Sequence, residues 1–216
     1  MAILTAHEIR KQVNGKHIRI GNFDENRIQP NSYDVTLGNK ISFYELNGDK
    51  VPVIQQNHSL PFTLYGMRAI TDVNLRTPSS HTIQYNLPYL DTKSENPMIT
   101  KEISDNGYIL LPNILYLVET VESVWSDKYV TEVSGTSSLA RLGITVHKTA
   151  GYSNIGHEFK WILEVEVTHP VKIYPGMKIG QMYFHTTEGK SNVQYNGKYK
   201  DEQMSDILCG SLNHIE

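Results

Sequence analysis

The chain has 216 residues, with 20 Lys and Arg against 23 Asp and Glu, a net charge of −3 at pH 7. That length suits one globular domain over residues 1–216 with a sizeable core. Hydrophobic residues make up 39% and charged residues 20%, which fits neither a membrane protein nor a disordered chain, and the near-neutral charge lacks the basic footprint of a protein that grips nucleic acid by its phosphates. The single cysteine, Cys209, excludes an internal disulfide and a Cys-based zinc cage within the chain. Met1 to Thr5 lacks the charged lead and apolar run of a signal peptide, and no apolar stretch reaches the roughly 18 residues that span a bilayer. The expectation is a soluble, cytoplasmic protein.

The first predicted element is a short helix. Thr5 and Glu8 have the capping-box spacing, Ile9 and Val13 share a face, Arg10 and Lys11 suit the dipole, and Gly15 ends it. The chain then turns β-rich. From Asp34 to Leu46, Val35 and Leu37 alternate, then Ile41 and Phe43, with Gly38-Asn39 as the break. Gly66 to Gly107 is polar and holds Pro78, Pro88 and Pro97 without a sustained period, so it reads as an excursion from the scaffold with room for short strands. Tyr108 to Val124 is β-branched and aromatic around a Pro112-Asn113 turn. Lys160 to Thr168 alternates, with Trp161, Leu163, Val165 and Val167 on one face and Lys160, Ile162, Glu164 and Glu166 on the other. Val171 to Phe184 gives two strands around Pro175-Gly176. Short strands with repeated turn signals predict an all-β barrel or sandwich.

Three stretches could carry chemistry. In Gly135-Thr-Ser-Ser-Leu-Ala-Arg-Leu-Gly143 two glycines bracket a hydroxyl-rich turn. If Ser137 starts a helical turn, Arg141 lies over the same face four residues on, and hydroxyls, free N–H groups and a guanidinium can cradle a phosphate. An ordinary helix cap with a solvated arginine fits the same spacing. Glu164 is either a solvent-facing strand carboxylate or a general base aimed into a pocket. The C-terminal run Tyr195-Asn-Gly-Lys-Tyr-Lys200 is either a lid over an anion or a solvated end. The Walker, dinucleotide-binding and His-Glu-x-x-His signatures are missing, and one cysteine cannot supply the Pro-Cys-x-x-Cys half of the zinc deaminase pattern.

Taken together and in order, these stretches resemble the dCTP deaminase branch of the dUTPase superfamily. The resemblance runs from Ile3-Leu4 through Ile28-Gln-Pro-Asn-Ser-Tyr-Asp-Val-Thr-Leu-Gly38 to Ser137-Ser-Leu-Ala-Arg-Leu-Gly-Ile-Thr-Val-His-Lys-Thr-Ala-Gly151. Trp161-Ile-Leu-Glu164, Tyr174-Pro-Gly-Met-Lys-Ile-Gly-Gln181 and Gly197-Lys-Tyr199 complete it. It implies a mainly β fold, a distorted β-barrel of the dUTPase type with a short N-terminal helix and a few helical turns, assembled as a homotrimer with sites between subunits. Charge and composition, as above, point to no nucleic-acid or membrane partner. The resemblance implies that Glu164 takes a proton from the water attacking C4 of cytosine and delivers protons to N3 and the departing ammonia. Ser137 and the Ala150 carbonyl would hold that water, and Arg141 would join them in the catalytic group. Thr136, Ser138, Tyr152, Asn154 and Ile162 would touch the deoxycytidine nucleotide, under a lid at about 190–216 that carries Tyr195, Lys198, Glu202 and Gln203. No protein-held metal is implied: Mg²⁺ arrives on the triphosphate, and zinc plays no part.

Several positions depart from the family pattern, among them the lid's glutamine, whose matching position is Glu202 with Gln203 beside it. Thr136 stands where the family usually has Arg or Lys, and Asn154 where it has an Asp that contacts the deoxyribose. An amide cannot act as a base. On that argument the expected reaction is dCTP to dUTP and ammonia, with little dUMP. The alternatives are a bifunctional enzyme giving dUMP, which the aromatic Tyr152 favours, a largely non-catalytic nucleotide-binding regulator, and deamination of a monophosphate or modified nucleotide.

Overall fold

The computed structural model describes residues 2–44, 90–96, 98–189, 192–193 and 195–196. Helix α1 (Ala6–Asn14) leads into strands β1 (Ile18–Ile20), β2 (Ile28–Gln29) and β3 (Ser32–Tyr44). Strands β4 (Met98–Glu102), β5 (Tyr108–Leu110), β6 (Tyr116–Ser126) and β7 (Tyr129–Ser134) follow. After the short helix α2 (Ser137–Arg141) come β8 (Ile144–Thr145), β9 (Phe159–Val167), β10 (Val171–Ile173) and β11 (Lys178–Thr186). One sheet runs β7-β11-β3-β6-β9-β8, with β1 on β6 and both β2 and β4 on β3; β10 pairs with β5 separately. The sheet curls into a half-barrel, so the mainly β, distorted-barrel expectation holds. Among the described residues no helix is long and apolar enough to cross a membrane.

The helix forms where expected, without the capping box. Thr5 is the N-cap residue but its side chain makes no cap hydrogen bond. Glu8 turns instead to Gln12 and Lys11, and the first orphan donor, Ala6 N–H, is met by the Pro30 carbonyl at 2.8 Å. Docking thus replaces local capping, and Ile9 is fully buried beneath the helix.

Gly38-Asn39 is not a break between strands. β3 runs through it, and the pairing with β6 slips there between Leu37 and Ile41. A Cβ on Gly38 would stand 2.7 Å from Glu119 Cγ, so the glycine marks a bulge where backbones approach closely. The excursion also returns to the scaffold: β4, inside 66–107, pairs antiparallel with β3 from Lys40↔Glu102 to Tyr44↔Met98, while residues 66–89 lie outside the described set. The Pro175-Gly176 turn is present, with Gly176 at φ +73, but it joins different pairings: β10 goes to β5 and β11 to β3 and β7.

β3 is buried on both faces at its start. Tyr33, Val35 and Leu37 enter the core, and so do the polar side chains Ser32, Asp34 and Thr36. Burial of those groups is tolerable because each has partners. Asp34 receives Gln29 Nε2 at 2.8 Å and pairs with Lys178. Glu122, 1% exposed, accepts from the Thr36 amide at 2.8 Å, the Thr36 hydroxyl at 2.7 Å and the Arg27 guanidinium. Glu122 turns inward at a second bulge, where the β6–β9 register slips between Glu119 and Ser123. There the Thr120 hydroxyl accepts the Trp161 amide at 3.2 Å, which keeps β9 attached and sets Leu117 opposite Glu164.

Candidate active site

The segment from β7 to β9 brings most of the singled-out residues onto adjoining elements. α2 does start at Ser137 and end at Arg141. Its cap is Thr136, whose hydroxyl accepts the Leu139 amide at 3.3 Å, which gives Thr136 a helix-starting role. Leu139 is buried and anchors the turn, leaving Ser137, Ser138 and Arg141 exposed. Among the described residues Arg141 forms no ion pair. Gly143, at φ +74, then permits a reversal that any side chain would block, since a Cβ there would meet Thr168 Oγ1 at 2.0 Å. α2 packs on β8, and β8 pairs with β9 through Ile144↔Val167 and Thr145↔Glu166.

On β9 the alternation is as the sequence predicts. Trp161, Leu163, Val165 and Val167 are buried, while Ile162, Glu164 and Glu166 line the half-buried opposite face. The Glu164 carboxylate accepts from the Lys148 backbone amide at 3.4 Å. Glu166 pairs with the Lys148 ammonium. Neither contact was foreseen, because Lys148 sits on irregular chain beyond β8, where spacing gives no face.

The next loop is templated by β7. Val133 N–H donates to the Gly151 carbonyl at 2.9 Å, and Ser153 N–H to the Thr131 carbonyl at 2.8 Å. Ser153 Oγ accepts from both the amide and the hydroxyl of Thr131, at 2.8 and 2.7 Å. These bonds hold Ala150, Tyr152 and Asn154 at the surface, all exposed. Tyr195 is half-buried and its ring centre lies 4.9 Å from that of His157, which stacks on Phe159 at 5.7 Å. Of the lid, Tyr195 therefore reaches the end of this loop, while Lys198, Glu202 and Gln203 lie outside the described residues.

Comparison with known proteins gives the class. The sequence profile of the family described as dCTP deaminase-like matches residues 3–187, and the chain belongs to that family. A relative named "dCTP deaminase, dUMP-forming" from Leptospira biflexa is 32% identical over 201 residues, 93% of this chain and 91% of the relative. Proteins of the same name from Clostridium beijerinckii, 32% identical over 93% of this chain and 92% of theirs, and Cytophaga hutchinsonii, 31% over 92% and 90%, match as well. The crystal structure of 2'-deoxycytidine 5'-triphosphate deaminase from Agrobacterium tumefaciens superposes with a TM-score of 0.54 at 17% identity, covering 86% of this chain and 48% of that one. That likeness concerns the fold.

These relatives overturn the expectation that the product is dUTP. They are named for forming dUMP, which is the alternative that Tyr152 favoured. One missing charge, at Asn154, does not exclude hydrolysis at phosphorus. Displacement at phosphorus draws most of its catalysis from positioning and from electrostatic stabilisation of the phosphates, and the loop that carries Asn154 is hydrogen-bonded to Thr131 and Val133 through Gly151 and Ser153.

Proposed function

We propose that this chain converts dCTP to dUMP, ammonia and diphosphate, consuming two waters. The observation that carries the reading is the set of dUMP-forming relatives matched over nine-tenths of both chains; the half-buried Glu164 on β9 supports it. Glu164 acts as the general base for the water that attacks C4, then passes protons to N3 and to the leaving ammonia. Ser137 and the Ala150 carbonyl hold that water. Ser138 and the exposed guanidinium of Arg141 meet the phosphates, where a planar fork matches phosphate oxygens. Tyr152, Asn154 and Ile162 contact the nucleoside. Tyr195, Lys198, Glu202 and Gln203 close over the triphosphate, and Mg²⁺ enters as part of the nucleotide, without zinc.

The active assembly in this reading is a cytoplasmic homotrimer whose subunits complete one another's sites, which suits the surface position of α2 and of Tyr152. A panel of dCTP, dCMP and dUTP with magnesium, read for ammonium, uracil nucleotide and diphosphate, tests the function. Ammonium and diphosphate from dCTP are expected. Release of neither, alongside tight nucleotide binding, would leave a binding protein instead.

A further inference from the structure

Three parts of the chain converge on His185. It stands on the face of β11 that also carries Gln181 and Tyr183, away from the core-facing Met182 and Phe184, yet it is only 4% exposed. Ile3 bridges to it from the N-terminal segment, and Val130 of β7 lies opposite. Tyr152 covers the ring, with centroids 5.8 Å apart and planes inclined by 53°. His185 Nε2 lies 2.8 Å from Glu132 Oε2, while Nδ1 is buried with no hydrogen-bond partner among the described residues. Glu132 also bridges to the backbone of Tyr152. One residue of β7 therefore holds Tyr152 twice: by its main chain, and through the imidazole on which the phenol ring rests.

A wholly apolar side chain would fill the space under Tyr152 without burying an unpaired nitrogen. What the His185–Glu132 pair adds is direction. A hydrogen bond fixes the plane of the imidazole in a way that dispersion contacts do not, and the plane of the imidazole sets the tilt of the ring above it. Tyr152 needs such support because it is 56% exposed, and the neighbouring Gly151 and Ser153 tie down only backbone and a hydroxyl.

We propose that His185 and Glu132 are positioning residues for nucleotide binding, which hold the Tyr152 ring in the orientation that receives the substrate. This rests on the reading above that seats the nucleotide against Tyr152. Ordering the ring before binding lowers the entropic cost of association, so the effect belongs to KM and not to kcat. The test is steady-state kinetics of the full chain with dCTP and magnesium for Tyr152→Ala, His185→Phe, Glu132→Gln and the double variant of Tyr152→Ala with His185→Phe. Melting temperatures are recorded for each. His185→Phe keeps a ring and removes the bond to Glu132, so KM is expected to rise about three- to tenfold with kcat within about twofold. Glu132→Gln keeps an acceptor and should sit between that variant and the parent. The double variant should match Tyr152→Ala within about twofold in KM, because the imidazole has no other route to the substrate.

An unchanged KM in His185→Phe, or effects of His185 and Tyr152 that multiply, would overturn the proposal while leaving the nucleotide's seat intact. A Tyr152→Ala variant with unaltered KM would instead remove the seat itself, and the proposal with it. Should His185→Phe fail to fold, Glu132→Ala is judged by the same two comparisons.

Discussion

The backbone N–H of Lys148 reaches the carboxylate of Glu164 across 3.4 Å. β8 leaves the β9 ladder after Thr145↔Glu166, and a side chain then takes the place of the next ladder carbonyl. The bond engages Oε2, while Oε1 has no hydrogen bond among the described residues, so one oxygen is oriented and the other is free to meet a water.

That division leads to the first prediction. Glu164→Gln keeps the size of the side chain and can still accept from Lys148, but it cannot take a proton from water. Ammonium release from dCTP should fall by roughly 10²–10⁴-fold. Calorimetric titration with dCTP should show far less change. Normal deamination by the variant would make Glu164 an ordinary strand carboxylate.

Gly143→Ala addresses the reversal behind α2. Alanine is strained at φ +74, and its methyl would fall 2.0 Å from Thr168 Oγ1. The substitution should cost about 2 kcal/mol or more in urea unfolding. It should also weaken nucleotide binding, because Arg141 lies two residues upstream. Parent-like stability would mean that the turn relaxes freely.

The β3 and β9 segments show what the sequence could and could not tell. β9 was legible because Trp161, Leu163, Val165 and Val167 alternate and no distant residue alters their face. β3 was legible as a strand, but its Gly38-Asn39 signal was misread, since only Glu119 on the neighbouring strand makes glycine necessary there. The burial of Ser32, Asp34 and Thr36 was likewise hidden, because their partners Glu122, Gln181 and Lys178 are distant in sequence. α2 could be read because capping is local, although the capping hydroxyl is on Thr136 and not on either serine. His185 gave no signal: alternation turns it outward, and Ile3, Glu132 and Tyr152, all distant in sequence, lie against it.

The buried carboxylate of Glu122 should reveal its dependence on Arg27. Arg27→Met removes its cationic partner and leaves the two Thr36 bonds. Breaking a buried pair costs about 3–5 kcal/mol. With Arg27 partly solvated and those bonds retained, about 2–3 kcal/mol is expected. The paired change of Arg27→Met and Glu122→Gln, which removes the buried charge and keeps an acceptor for Thr36, should cost less than Arg27→Met alone. Equal or greater loss in the pair would show that the charge is not what destabilises the single variant.

Alkaline pH should loosen the fold through its buried phenols. Burial pushes the Tyr116 phenol from 10.0 up to about 12, with its bond from the Leu111 amide pulling the other way. Burial also raises Tyr33 and Tyr108. The native state holds these protons after the unfolded chain has lost them, so their stabilisation is complete below pH 10 and is lost as pH climbs towards 12. Urea midpoints should decline across that window, and less steeply in Tyr116→Phe. A midpoint independent of pH there would contradict the assignment.

The most direct measurement is the product balance of the unaltered protein. Incubation with dCTP and magnesium, with ammonium, diphosphate, dUTP and dUMP followed in one time course, should give ammonium, diphosphate and dUMP in equal amounts, with no lasting pool of dUTP. Ammonium accompanied by an equal and persistent amount of dUTP, without diphosphate, would contradict the account.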